Sequence, residues 1–217
     1  GLVVSNDALH YREPIPDFRM VAAGEDDFEH LPTPMNFKHS GLVQGQGFEN
    51  VGDETLFWYA PWPEQLSNGV RIARWQRDRL GYFEVVADPK PSLLMPEDTH
   101  TMFWGRHVDI PIEQTDPHTV SCPIRIDGNA ASVSINADGI SEDSYLSVEL
   151  LDEQYRPIEG LSGASAATIR EPGLRQTAVW NGSQTVDLAG QTIRTKVIWL
   201  GKRPDDTHLY AVYVNEG

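Results

Sequence analysis

Short stretches in which apolar and polar residues alternate recur along the chain. Tyr145–Leu150 and Leu209–Val214 each place apolar side chains on one face of an extended segment and mixed side chains on the other. Alternation with a period of two is typical of a half-buried β-strand. No stretch has the apolar spacing of a convincing amphipathic helix, so the sequence predicts an all-β fold.

Four predicted strands follow one another closely in the first half of the chain. They are Val43–Val51, Glu54–Pro61, Gly69–Arg77 and Gly81–Val86, and Gly52-Asp53 forms the first turn. A four-stranded antiparallel meander of this length is the unit of a β-propeller blade. One blade cannot bury both of its faces without neighbours. We therefore expect residues 1–86 to form the last blade of a β-propeller whose other blades lie upstream in the same protein.

A second group of predicted strands follows the proline-rich segment Ala87–Pro96. The strands are short and are separated by turn sequences such as Asp138-Gly139 and Asn181-Gly182. They are Thr101–Ile110, Thr119–Ile126, Ala131–Ala137, Ser144–Leu151, Leu174–Trp180, Thr192–Gly201 and His208–Val214. Many short strands without helices favour two packed antiparallel sheets. The sequence predicts a β-sandwich domain over residues 90–217.

Composition narrows the range of partners. The chain has 217 residues and a formal net charge of −15, with the acidic excess spread along its length. Such a surface repels a phosphate backbone, so nucleic acid is not an expected partner. No run of 18 or more apolar residues occurs, so we expect no membrane-spanning helix.

The single cysteine, Cys122, limits the chemistry further. A lone thiol excludes a disulfide within the chain and a zinc site built from several cysteines. Because Cys122 lies in the apolar predicted strand Thr119–Ile126, we expect it to be buried and unreactive. The chain also lacks a glycine-rich phosphate loop, a Gly-x-Ser-x-Gly elbow and a His-Glu-x-x-His motif. We therefore expect no cofactor and no metal.

Four segments carry a resemblance to a known group of enzymes. They are Leu2–Glu13 (LVVSNDALHYRE), Gln46–Trp62 (QGFENVGDETLFWYAPW), Gly69–Tyr82 (GVRIARWQRDRLGY) and Ser147–Val214. Together they resemble the five-bladed β-propeller glycoside hydrolases of families 32, 43, 62 and 68, including bacterial proteins that carry an appended β-sandwich. Ala8 stands where the family pattern usually has glycine. The Asn-Asp-Pro-Asn and Arg-Asp-Pro motifs of families 32 and 68 are absent.

The resemblance implies a carbohydrate-active hydrolase, a glycosidase that cleaves the glycosidic bonds of an oligo- or polysaccharide. In such enzymes two carboxylates perform the reaction, one as nucleophile or base and one as acid. Those residues usually lie on earlier blades, so the main catalytic carboxylates are expected upstream of Gly1. A second hypothesis from another class is a non-catalytic carbohydrate-binding or structural β module.

The first strand of a blade lines the central funnel, so Val43–Val51 is the predicted place of contact with a sugar. Gln44, Gln46 and Glu49 supply donors and acceptors for sugar hydroxyls, and the glycines between them allow a ring to approach closely. Glu49 is either a catalytic acid/base or only an acceptor for a hydroxyl. The alternative is that all three side chains satisfy backbone groups or face water.

Aromatic and imidazole side chains complete the predicted substrate site. Trp58 and Tyr59 can stack on a sugar ring, although adjacent strand residues point to opposite faces and cannot both contact one ligand. Packing in a core is the alternative role for each. His39 borders a proline-rich loop that can cover the mouth of the funnel, and its alternative is an ordinary solvated loop residue.

Overall fold

The computed structural model describes residues 9–13, 20–21, 41–62, 70–86, 101–102, 106–107 and 116–217. These residues form antiparallel β-sheets, none of them closed, together with two short 3₁₀ helices at Gly163–Ser165 and Pro204–Asp206. The predicted all-β class is confirmed. In this described part, no helix has the length and apolar character needed to cross a membrane. The chain divides into two compact units, Gly1–Leu80 and Gly81–Gly217.

The N-terminal unit contains a three-stranded antiparallel sheet. Its strands are β1 (Gly41–Val51), β2 (Glu54–Trp62) and β3 (Arg71–Gln76), in that order. Gly52-Asp53 forms the predicted turn, in which Gly52 has a φ of +58° and Val51 pairs with Glu54. Glycine suits this position because residues with a Cβ rarely adopt positive φ.

The predicted fourth strand of this sheet, Gly81–Val86, is wrong. Within that segment only Phe83 forms a strand bridge, and its partner is Leu209 in the C-terminal unit. Asp78 has a φ of +59°, and backbone hydrogen bonds close a turn over Gln76–Arg79. The chain therefore leaves the edge of β3, and the segment joins a different sheet.

The C-terminal unit contains eleven further strands among the described residues. They are β4 (Thr101–Met102), β5 (Arg106–His107), β6 (His118–Val120), β7 (Ile124–Arg125), β8 (Ala130–Asp138), β9 (Tyr145–Asp152), β10 (Ala167–Ile169), β11 (Gly173–Thr177), β12 (Val186–Asp187), β13 (Thr192–Leu200) and β14 (His208–Glu216). β4 and β5 pair only with each other, so the predicted strand Thr101–Ile110 is interrupted. The short strands β10 and β12 had no counterpart in the sequence prediction.

Two larger sheets share one plan. In the first, β13 pairs with β9 on one edge and with the short strands β6 and β7 on the other, and β10 extends the sheet beyond β9. In the second, β8 pairs along its length with β14 on one edge and with the short strands β11 and β12 on the other. Each sheet is thus built on one long antiparallel pair.

Alternate residues of these long strands form one common core. In β13 the buried positions are Ile193, Thr195, Val197 and Trp199, and the residues between them are partly exposed. The core cluster also includes buried residues of β8, β9, β10 and β14. Because strands of both sheets contribute to it, burial of their apolar faces links the two sheets.

The predicted strand Thr119–Ile126 is broken in the middle, and this corrects the prediction for Cys122. Pro123 has no backbone N–H to donate, which disfavours a continuous ladder. At the break the hydroxyl of Ser121 accepts a hydrogen bond from the backbone N–H of Thr195, at 3.0 Å. Cys122 lies in this interruption and is exposed.

Two connections cross between the sheets and contact each other at one end of the unit. One joins β8 to β9 and the other joins β13 to β14. The backbone N–H of Arg203 donates to the Asp143 carbonyl at 2.9 Å, and the buried hydroxyls of Ser144 and Thr207 hydrogen-bond across the contact. The indole N–H of Trp199 donates to the Thr207 carbonyl at 3.0 Å. These contacts fix the ends of β8 and β14 relative to each other.

Gly139 is a critical point of this contact, and Gly139→Ala should destabilise the fold strongly. Its φ is +69°, and a Cβ there would overlap the backbone oxygen of Asp206. Gly182 is the matched control, because its φ is +82° but a Cβ would meet no atom within 4 Å. It belongs to the predicted Asn181-Gly182 hairpin turn, which is confirmed by the bridge between Trp180 and Ser183.

Both substitutions should lower the free energy of unfolding by about 1–2 kcal/mol, because alanine disfavours the left-handed backbone conformation of these positions. Gly139→Ala should cost about 1–3 kcal/mol more, because the neighbouring connection must move. Chemical denaturation of the two variants measures the difference. Equal losses of stability would contradict the tight contact at Gly139.

Candidate functional site

The register of β1 with β2 places the backbone of two residues predicted for the site. Gln44 pairs with Tyr59, whereas Glu49 pairs with Leu56. The Glu49 side chain therefore lies on the face of the sheet that carries Leu56 and Trp58. Gln46 lies within an irregularity between Gln44 and Phe48. His39 lies outside the described residues.

The face that carries Tyr59 is the more buried one. Tyr59 is 6% exposed, and its ring lies 6.1 Å from that of Phe57, which in turn lies 4.9 Å from the ring of Phe48. Thr55, on the same face, is 3% exposed. Tyr59 therefore has the surroundings expected of its alternative role in packing.

The opposite face carries Trp58 beside charged residues. Glu49, Glu54 and Arg74 are exposed, and Arg74 Nη1 lies 3.7 Å from Glu54 Oε2. Trp58, which is partly exposed, and Glu49 are diagonal neighbours across the strand pair, a relation that puts Cα atoms on the order of 7–8 Å apart. This arrangement combines an aromatic ring with acceptors from two carboxylates and donors from one guanidinium.

A bulge in β1 lies opposite Trp58. Residues 45–47 of β1 lie opposite Trp58 alone, because Gln44 pairs with Tyr59 and Phe48 pairs with Phe57. Gly47 has a φ of +104°, and a Cβ at this position would meet no atom within 4 Å. Glycine thus permits the bulge and adds no side chain next to the indole.

A second polar cluster lies in the C-terminal unit, where three chain segments run side by side. Asp138, the last residue of β8, pairs with His208 of β14. On the other edge of β14, Phe83 and Leu209 exchange backbone hydrogen bonds of 2.8 and 3.0 Å. Side chains alternate along an extended segment, so Tyr82 and Glu84 lie on the same face as His208. We call Tyr82, Glu84, Asp138, His208 and Tyr210 the histidine cluster.

A β-bulge brings Tyr210 into this cluster. Leu209 pairs with Ala137 and Ala211 with Asn136, so Tyr210 is the extra residue on β14. The bulge also restores core packing downstream, because Leu209 is buried and Val212 packs against the same core. Bulges re-aim side chains in this way, and they are frequent beside functional sites.

Hydrogen bonds order the histidine cluster around Asp138. Tyr210 Oη donates to Asp138 Oδ2 at 2.9 Å, and His208 Nδ1 lies 3.0 Å from Asp138 Oδ1. Because a carboxylate only accepts, the proton of this second bond must be on Nδ1. His208 Nε2 faces Glu84 Oε2 at 3.6 Å, and the Tyr82 ring lies 4.2 Å from the imidazole.

The charge state of the cluster depends on His208. A protonated imidazole donates to both carboxylates, whereas a neutral one with its proton on Nδ1 presents Nε2 to Glu84 as a second acceptor. Within the described residues, no group of three or more His, Cys, Asp or Glu side chains is placed to hold a metal ion. Hydrogen bonds to Asp138 and ring contacts with Tyr82 hold the imidazole of His208 in place.

The histidine cluster was not predicted from the sequence, because Gly81–Val86 was expected to pair within the N-terminal sheet. The available signal was the spacing of two residues in Tyr82-x-Glu84 and His208-x-Tyr210, which places each pair on one face of a strand. Pairing of these two segments is a long-range contact that alternation alone does not specify. The bulge at Tyr210 was likewise not visible in the apolar pattern.

We expect the Asp138 carboxylate to hold His208 in the Nδ1–H tautomer. Long-range ¹H–¹⁵N correlation spectra of the neutral imidazole distinguish the two ring nitrogens. In Asp138→Ala the fixed acceptor is lost, so the proton should redistribute between Nδ1 and Nε2. An unchanged tautomer in that variant would show that Asp138 does not orient the ring.

The chain matches no family model, no curated protein and no solved structure.

Proposed function

We propose that the protein binds carbohydrate through the exposed face of the N-terminal sheet. The observation that supports this proposal is the position of Trp58 next to Glu49, Glu54 and Arg74, with open space at Gly47. An indole presents a flat apolar surface to the C–H groups of a sugar ring. Carboxylates accept hydrogen bonds from hydroxyl groups and guanidinium donates to them. The resemblance of Gln46–Trp62 to carbohydrate-active proteins favours the same ligand class.

In this proposal Glu49 accepts hydrogen bonds from a sugar hydroxyl. Its side chain is exposed, so accepting such a bond displaces water without uncovering a buried charge. Arg74 is paired with Glu54, so a hydrogen-bond donor and an acceptor lie next to each other on this face. Trp58 contributes the stacking surface and selects a ring over an open-chain polyol.

Hydrolysis of a glycosidic bond by the whole protein is the second candidate, with the described sheet as a propeller blade and the C-terminal unit as a β-sandwich. Exposed apolar residues on the Glu49 face favour it, because Val51 is 51% exposed and Ile72 is 44% exposed. A blade carries apolar residues on both faces, where its neighbours cover them. Two carboxylates are needed for hydrolysis, and Glu49 and Glu54 are diagonal neighbours on this face.

Glu49→Gln tests the role of Glu49 in binding. Loss of a charged acceptor should weaken oligosaccharide binding by about 1.5 kcal/mol, roughly tenfold. The melting temperature should stay almost unchanged, since the Glu49 side chain is exposed. Calorimetric titration with xylohexaose, cellohexaose, maltohexaose and inulin-type oligosaccharides measures affinity. The control is Glu142→Gln, which neutralises an exposed carboxylate elsewhere.

Four outcomes separate the hypotheses. Equal affinity of Glu49→Gln and Glu142→Gln would exclude Glu49 from the site, and a large loss of stability in Glu49→Gln would make Glu49 structural. Release of reducing sugar from any of these oligosaccharides, abolished by Glu49→Gln while binding persists, would favour the hydrolase. No binding of any of the four sugars would overturn the proposal.

A further inference from the structure

We propose that the histidine cluster is a second carbohydrate site, in which a sugar ring stacks on Tyr82 and a hydroxyl group is held between Glu84 and His208. This inference extends the proposed carbohydrate-binding function to the C-terminal unit, for which that proposal names no binding residue. It depends on a different set of side chains and is tested separately.

Asp138 prepares the site, and each of its carboxylate oxygens accepts a hydrogen bond from the cluster. One of its oxygens accepts from Tyr210 at 2.9 Å and the other from His208 at 3.0 Å. Gly139, which follows it, is fixed against the Asp206 backbone. Asp138 is therefore a positioning residue, which fixes the ring of His208 and leaves Nε2 directed at Glu84.

In the neutral state of His208, the contact between His208 and Glu84 accepts an outside hydrogen-bond donor. When His208 is neutral, Nε2 and the Glu84 carboxylate are both acceptors, and they face each other at 3.6 Å. Two facing acceptors repel each other, and both side chains are open to solvent, so a donor that approaches beside them relieves the repulsion. A sugar hydroxyl supplies this donor, and a vicinal hydroxyl supplies a second one.

Tyr82 adds an apolar surface on which a sugar ring can stack and a water molecule cannot. It is 50% exposed, and its contact with His208 occupies only part of the ring. Tyr82 also meets Tyr210 edge to face, with ring centroids 5.6 Å apart. Because neighbouring aromatic rings restrain it, stacking on Tyr82 loses little side-chain entropy.

The charges select neutral sugars. Glu84 and Asp138 are both acidic, and the formal net charge of the chain is −15. A uronic acid or sulfated sugar placed against Glu84 would be repelled at close range. We therefore infer that the ligand is a neutral oligosaccharide.

Backbone amide spectra of the intact protein test this inference, with xylohexaose, cellohexaose, maltohexaose and inulin-type oligosaccharides as neutral probes and oligogalacturonate as the acidic one. At least one neutral sugar should shift the amide signals of residues 82–84 and 208–210, and oligogalacturonate should bind at least tenfold more weakly. Tyr82→Ala and Glu84→Gln should each weaken binding at these residues at least tenfold. Tyr82→Phe keeps the ring and should retain binding, and Glu159→Gln, an exposed charge elsewhere, should have no effect.

The same spectra distinguish the two sites. Shifts confined to β1–β3 would overturn this inference and leave the proposed function standing. Shifts at the histidine cluster that Glu49→Gln does not alter would establish the second site independently. Binding that Tyr82→Ala and Glu84→Gln leave unchanged would overturn the inference, as would the absence of any shift with all four neutral sugars.

Discussion

The contact between the two crossing connections is the constraint on which the C-terminal unit depends. Each connection takes the chain from one sheet to the other, so their backbone groups leave the strand ladders and need partners elsewhere. The Arg203–Asp143 backbone bond and the Ser144–Thr207 side-chain bond supply them. Asp138 and His208 lie at the same end of the unit. The contact between the two connections therefore also sets the geometry of the histidine cluster.

The alternation of apolar and polar residues predicted most of the long strands correctly. It was not sufficient where a proline interrupts a strand or where a distant segment decides which sheet a strand joins. Val43–Val51 and Glu54–Pro61 agree closely with β1 and β2 because both are long and bounded by a Gly-Asp turn. Thr119–Ile126 has the same apolar character, yet Pro123 cannot donate to the neighbouring strand. Gly81–Val86 has strand character too, but which sheet it joins is decided by distant residues.

In the candidate sites too, features that depend on neighbouring residues follow from the sequence, whereas features that depend on pairing between distant segments do not. Trp58 and Tyr59 point to opposite faces, which follows from strand geometry alone. The pairing of Glu49 with Leu56 places Glu49 on the Trp58 face. The histidine cluster joins residues about 70 positions apart along the chain, as the Asp138–His208 pair shows. Its formation required the register of β8 with β14 and the bulge at Tyr210, neither of which leaves a pattern in the sequence.

The break between β6 and β7 has a practical consequence for handling the molecule. Cys122 is the single cysteine of the chain, and it is exposed at that break. An exposed thiol is accessible to the same thiol of a second molecule, so a reductant guards preparations against intermolecular disulfides. The same thiol can be labelled with one maleimide dye per molecule. Cys122 belongs neither to the Trp58 face of the N-terminal sheet nor to the histidine cluster.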